Sequence, residues 1–225
     1  ANGIPVVFDN LHNAVNPSPL GESDRYWVSE CAKTWSARDG AQKIHYSQPD
    51  PQKKMGAHSQ SIRIEGFLSY LDSISPYHPD IMLEVKDKNI SALKCLLCMS
   101  GEPAIGLLER EWCRYKYLVL EHSQSHYSHV RSILKDKNAY PALPMFQAIE
   151  AALRLPVEIG DAVNAAAHVW GYFKDLATPS QKAAFHKELR AFQDGSAPLE
   201  RVKRALWKLA QTYQDAYLLQ SYYFV

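Results

Sequence analysis

Five side chains form a mixed oxygen and nitrogen donor set: Asp9, His12, His45, His58 and Glu84. Asp9 and His12 stand three residues apart after an apolar stretch, a spacing from which a carboxylate and an imidazole reach one ion. In Lys43-Ile44-His45, strand alternation puts Lys43 and His45 on one face. His58 follows a polar loop. Glu84 lies in the apolar run Ile81-Met82-Leu83-Glu84-Val85. A carboxylate there needs a partner or a metal, because an unpaired buried charge costs several kcal/mol. Such a set suits Mn²⁺ or Zn²⁺ better than Ca²⁺, which prefers oxygen alone. The plainer alternative for each histidine is a capped or solvated ring. Lys43 has two readings. Its chemistry favours an ion pair with Asp9 or Glu84; the other is a carbamate-bearing lysine that bridges metals.

The elements that must position these groups follow from periodicity. Short apolar runs predict strands over 5–8, 42–46 and 81–85, the first one buried. Trp27, Val28, Cys31 and Trp35 share a helix face, with Ser23 as its N-cap. Ile64, Phe67, Leu68 and Leu71 mark a second helix, and Ile90, Leu93, Leu96 and Leu97 a third. Asp9, His45 and Glu84 recur at intervals of 36 and 39 residues, near the strand C-terminal ends. Successive βα units give that regularity and imply a parallel sheet, whose ligands bind outside the carboxyl ends of its strands. Three units do not close an eight-stranded barrel, so two sheet edges stay open for self-association.

Beyond a boundary at Gly101-Glu102-Pro103 the pattern is helical, over 106–122, 123–135, 144–154, 160–176, 180–194 and 198–213. The expected domains are 1–102 (α/β) and 103–225 (all-α). The 225 residues carry a net charge of +1, so any nucleic-acid contact is local. No apolar run approaches the roughly 18 residues of a membrane span, and no membrane contact is expected. Cys95-Leu96-Leu97-Cys98 lies in an apolar helical run without a second pair, which reads as core packing in a reducing, cytoplasmic protein. The opening Ala1-Asn2-Gly3, with no initiator Met, reads as a piece of a longer chain.

Four motifs then occur in order: Val7-Phe8-Asp9-Asn10-Leu11-His12 with Asn16-Pro17, Lys43-Ile44-His45-Tyr46-Ser47, Ala57-His58-Ser59 and Met82-Leu83-Glu84-Val85-Lys86. Together they resemble the C-terminal third of the UV damage endonuclease family, over about residues 3–100. The resemblance implies the C-terminal portion of a TIM (β/α) barrel and a manganese cluster. It also implies incision of UV-damaged double-stranded DNA immediately 5′ to a pyrimidine photoproduct. Asp9, His12, His45, His58 and Glu84 fall on the family's metal-ligand positions, and Lys43 on its lysine beside the cluster. Lys43 and Glu84 are thereby the expected catalytic residues, with Lys53 and Lys54 in the intervening loop as DNA-phosphate contacts. The family's earlier strands supply further ligands, so the chain alone is expected to be inactive. Other metal-dependent barrels, such as sugar isomerases or apurinic-site endonucleases, share such ligands. A non-catalytic DNA- or protein-binding module is the remaining alternative.

The helical half, through Tyr115-Lys116-Tyr117-Leu118-Val119-Leu120-Glu121-His122-Ser123 and Gly171-Tyr172-Phe173-Lys174, resembles a bacterial helical domain of unknown function. His122, His126 and His129 share a face only if one helix runs through them, and Ser123 is placed to start a new one. Arg201, Lys203, Arg204 and Lys208 read either as a solvated helix face or as a track for a DNA backbone.

Overall fold

A computed structural model of the chain describes residues 3–101 and 104–225. Glu102 and Pro103, at the expected boundary, lie outside the described residues. The chain divides into two compact units, the first ending at Ser100 and the second beginning at Gly101.

The first unit runs β1 (Phe8–Asp9), α1 (Asn10–Val15), α2 (Asp24–Ala32), β2 (Lys43–Tyr46), α3 (Ile64–Ser73), β3 (Asp80–Leu83) and α4 (Asn89–Met99). The strands are parallel, in the order β1-β2-β3. Consecutive strands of a (β/α) barrel take this order, each followed by helical chain. Alternation divides the sheet into two faces. Ile44 and Tyr46 are buried on one, where the Tyr46 ring meets Phe67 and Tyr70 of α3 at 5.4 and 4.6 Å between centroids. The other face carries Lys43, His45 and Met82, and Met82 is 57% exposed.

The first strand departs from expectation. Only Phe8 and Asp9 pair with β2, while Ile4, Val6 and Val7 are exposed. Side chains serve that segment's backbone instead: Val6 N–H donates to Thr34 Oγ1 (2.8 Å), and Trp35 Nε1 donates to the Val6 carbonyl (2.9 Å). Strand β3 also stops one residue short of Glu84, whose N–H still donates to the Tyr46 carbonyl at 3.0 Å. The short helix α1 has no apolar repeat long enough to announce it.

The second unit is helical: α5 (Ile105–His122), α6 (Gln124–Ile133), α7 (Ala142–Leu153), α8 (Ile159–Trp170), α9 (Pro179–Gln193), α10 (Leu199–Thr212) and the short α11 (Ala216–Leu219). Its core packs Leu120, Ala165, Ala166, Val169, Phe173, Phe185, Val202, Leu206 and Tyr223. Thr178 and Gln181 form a capping box at α9 with Pro179 behind the cap, and Gly195 leaves that helix at φ +75°. Among the described residues, no helix is long and apolar enough to cross a membrane.

Candidate metal centre

The centre is assembled by register. Asp9 lies directly opposite His45 across the β1–β2 ladder, which puts both on one face. His45 is opposite Met82, and Glu84, two residues further, returns to that same face. One ligand atom each from Asp9, His45 and Glu84 lies within 4.8 Å of the other two. His45 Nδ1 is 2.9 Å from Glu84 Oε1 and 3.7 Å from Asp9 Oδ2. Each carboxylate then reaches one more ring. His12 Nδ1 is 3.5 Å from Asp9 Oδ2, and His58 Nε2 is 3.5 Å from Glu84 Oε2.

Local structure fixes each member. Asp9 is the N-cap of α1, its Oδ1 accepting from His12 N–H at 2.8 Å, which leaves Oδ2 for the rings. Asn10 locks β1 to the end of β2: Ser47 N–H donates to Asn10 Oδ1 (2.8 Å), and Asn10 Nδ2 donates to the Ser47 carbonyl (2.9 Å). His58 is brought back by an isolated antiparallel bridge between Pro49 and His58. Gln48, buried beneath that loop, accepts from Arg63 N–H (2.7 Å) and donates to the Arg63 carbonyl (3.0 Å) and to Tyr46 Oη (2.8 Å). Gly66 makes room for it, since a Cβ there would sit 2.9 Å from Gln48 Nε2. Ser91 Oγ accepts from Ile62 N–H at 2.9 Å, and the buried Lys94 ammonium donates to the Ile62 carbonyl. Asn10, Gln48, Ser91 and Lys94 escape sequence reading because nothing in their spacing marks them. Asn10 lies inside a motif and Gln48 directly after one, but neither has a residue type that suggests a ligand.

The five expected ligands are thus linked through Asp9 and Glu84, with three of them inside one donor cluster. Lys43 shares the face but is exposed and makes no ion pair with Asp9 or Glu84, against the pairing its chemistry favours. Its backbone register partner is Asp80, two residues before Met82, which carries it away from the donors. Lys53 forms an ion pair with Asp50 at 3.2 Å on the loop, and Lys54 is exposed beside it. The donor chemistry fits a divalent cation: imidazole nitrogen with carboxylate oxygen suits a first-row ion such as Mn²⁺ or Zn²⁺.

Residues 1–104 match the family model of UV-endonuclease UvdE. The first unit is UvdE-like. The second matches, over residues 116–225, a family described as a protein of unknown function (DUF1722). A UV DNA damage endonuclease of Clostridium perfringens is 43% identical over 140 residues, which cover 59% of this chain and 33% of the relative. One of Bacillus mycoides is 35% identical over 100 residues, 42% of this chain and 30% of the relative. The crystal structure of SacUVDE aligns with 40% identity over 43% of this chain and 31% of its own, at a TM-score of 0.39. The chain spans about a third of the length of the curated relatives it matches. The UvdE-like unit has three parallel βα units in the strand order of part of a (β/α) barrel, and the second unit is helical.

In the helical unit, Ser123 ends α5 and caps α6, its Oγ accepting from His126 N–H. That break divides the three histidines between two helices. His122 Nδ1 lies 2.8 Å from the Leu155 carbonyl, and His126 Nδ1 lies 2.9 Å from Ser123 Oγ. Two of the four basic groups on α10 are committed, Arg201 to Glu188 and Lys203 to Glu121.

Proposed function

We propose that the UvdE-like unit supplies three βα units and part of the metal centre of a DNA repair endonuclease. Its substrate is UV-damaged double-stranded DNA, cut immediately 5′ to a pyrimidine photoproduct. The supporting observation is the convergence of Asp9, His45 and Glu84 on one sheet face, inside the segment that matches UvdE.

Asp9, His45 and Glu84 hold the ion, Mn²⁺ on this reading, with His12 and His58 as further ligands beside the flanking carboxylates. When bound, the ion supplies positive charge for the phosphate and lowers the pKa of water. Glu84 spans His45 and His58 with its two oxygens, and so keeps both rings oriented. Lys43 adds positive charge to the face that the phosphate approaches. Lys53 and Lys54 take up flanking phosphates; the exposed pair of Lys53 with Asp50 is weak enough to yield to one. A photoproduct is cheaper to unstack than a normal step, which favours damaged sites. The outer edges of β1 and β3 pair with strands from the part of the relatives that this chain does not span, or with a second copy. The remaining ligands come from that same part, so the 225 residues alone do not nick DNA.

The test replaces the segment of the Clostridium perfringens relative that aligns with residues 1–104 by those residues. The chimera is expected to nick UV-irradiated plasmid in Mn²⁺ and to spare unirradiated plasmid, and Glu84→Gln within it to abolish nicking. A folded chimera that ignores irradiated DNA, or that keeps full activity after the Glu84→Gln substitution, overturns the reading.

A further inference from the structure

The second unit holds a cleft of about 630 Å³, within the size range of small-molecule sites. Its walls come from the end of α5, the segment before α8, the end of α9, the first half of α10 and the last two residues. Three aromatic rings line it: Phe192, Trp207 and Phe224, the last two 5.1 Å apart between centroids. Lys203 and Arg204 supply positive charge.

Glu121, 3% exposed, is the one buried residue in this lining. Its Oε1 accepts from Lys203 Nζ at 3.1 Å, while its Oε2 is buried with no hydrogen-bond partner. Lys203 Nζ also lies 4.6 Å from the centre of the Tyr223 ring, whose hydroxyl is buried and equally without a partner. A buried polar atom left unpaired costs about 1–3 kcal/mol. Natural proteins keep few of them, which singles out Glu121 among the residues that line the cleft. Burial pushes the Glu121 carboxyl up in spite of the Lys203 ammonium beside it.

We propose that this cleft binds a nucleoside monophosphate, a planar nitrogen heterocycle carrying one phosphate. The heterocycle lies against Trp207 and Phe224, its polar edge meets Glu121, and its phosphate meets Arg204. Aromatic walls select a flat ring because every base has a π face to stack. A guanidinium at the rim matches phosphate by its fork of donors. Lys203 is held by Glu121 and keeps that carboxyl compensated. The charges also set the ligand's size. Glu200 lines the same cleft and opposes a larger anion, and Lys203 is held by Glu121, so within the lining Arg204 is the one cation not engaged by a carboxylate. A single phosphate therefore fits better than a polyphosphate or a strand. No residue of the UvdE-like unit takes part, so this site stands or falls apart from the endonuclease reading.

The test is titration calorimetry of the full chain with AMP, GMP, CMP and UMP, with inorganic phosphate and the four nucleosides as controls. At least one monophosphate is expected to bind saturably, and more tightly than inorganic phosphate or its own nucleoside. Arg204→Glu, at an exposed position, and Glu121→Gln are each expected to weaken it about tenfold or more. Melting curves check the folding of both variants, and Arg204→Glu decides alone if Glu121→Gln fails to fold. The proposal is overturned if no monophosphate saturates, if inorganic phosphate binds as well as any of them, or if Arg204→Glu binds unchanged.

Discussion

At the scale of single residues, the first unit gives two carboxylates double duty. Asp9 uses one oxygen to start a helix and the other to face His12 and His45. Glu84 meets His45 with one oxygen and His58 with the other. Substitutions at these positions should therefore separate binding from folding to different degrees. His45→Ala removes the ring between the two carboxylates without touching a cap or a ladder bond. It should weaken Mn²⁺ binding about tenfold or more while leaving the melting temperature nearly unchanged. Asp9→Asn keeps a side-chain oxygen for the cap, so its loss should fall on Mn²⁺ affinity as well. Free Mn²⁺, counted by its paramagnetic resonance signal during titration, reads both. Equal affinity in wild type and His45→Ala would remove the sheet face from the metal account.

At the scale of elements, legibility follows the length of the periodic signal. Helices α5 to α7, α9 and α10 emerge from the sequence within two residues of their ends, because each repeats an apolar face over several turns and some carry readable signals such as Thr178-Pro179 and Gly195, whereas α8, expected over 160–176, stops at Trp170 and gives way to turns. The two-residue β1 offers no period at all. Its neighbours Val6 and Val7 are apolar yet exposed, held by Thr34 and Trp35 rather than by a ladder. Asp9, His45 and Glu84 were readable as a set because βα spacing is regular, whereas Lys43 stands off although the same alternation places it on their face. What fixes His58 was not readable, since Gln48 works through backbone groups fifteen residues away. Gln48→Ala should cost about 1–3 kcal/mol, because it leaves the Arg63 N–H and carbonyl without their partner. Chemical denaturation gives that loss, and a shifted His58 imidazole resonance would report the loosened loop.

At the scale of the whole molecule, buried carboxyls tie the stability of the helical unit to pH. The helical unit buries Glu111 and Glu121, and burial pushes both carboxyls up in spite of Arg114 and Lys203 beside them. The folded form then holds these protons more firmly than the unfolded chain does. Their contribution favours folding in acid and fades as pH climbs past the ordinary carboxylate value of 4.5 toward the raised ones. Replacing both by Gln should flatten that decline: between about pH 5 and pH 7, the variant should lose less melting temperature than the wild type. An identical slope in the two proteins would argue that neither carboxyl is desolvated in solution. The donor face of the three-stranded sheet also carries a kinetic meaning. With Met82 more than half exposed beside the donors, and the His45 and Glu84 side chains 31% and 26% exposed, solvent reaches the site directly. Uptake and stripping by a chelator in this chain should keep pace with mixing, so the ion is a guest in steady exchange with the surrounding buffer rather than a captive.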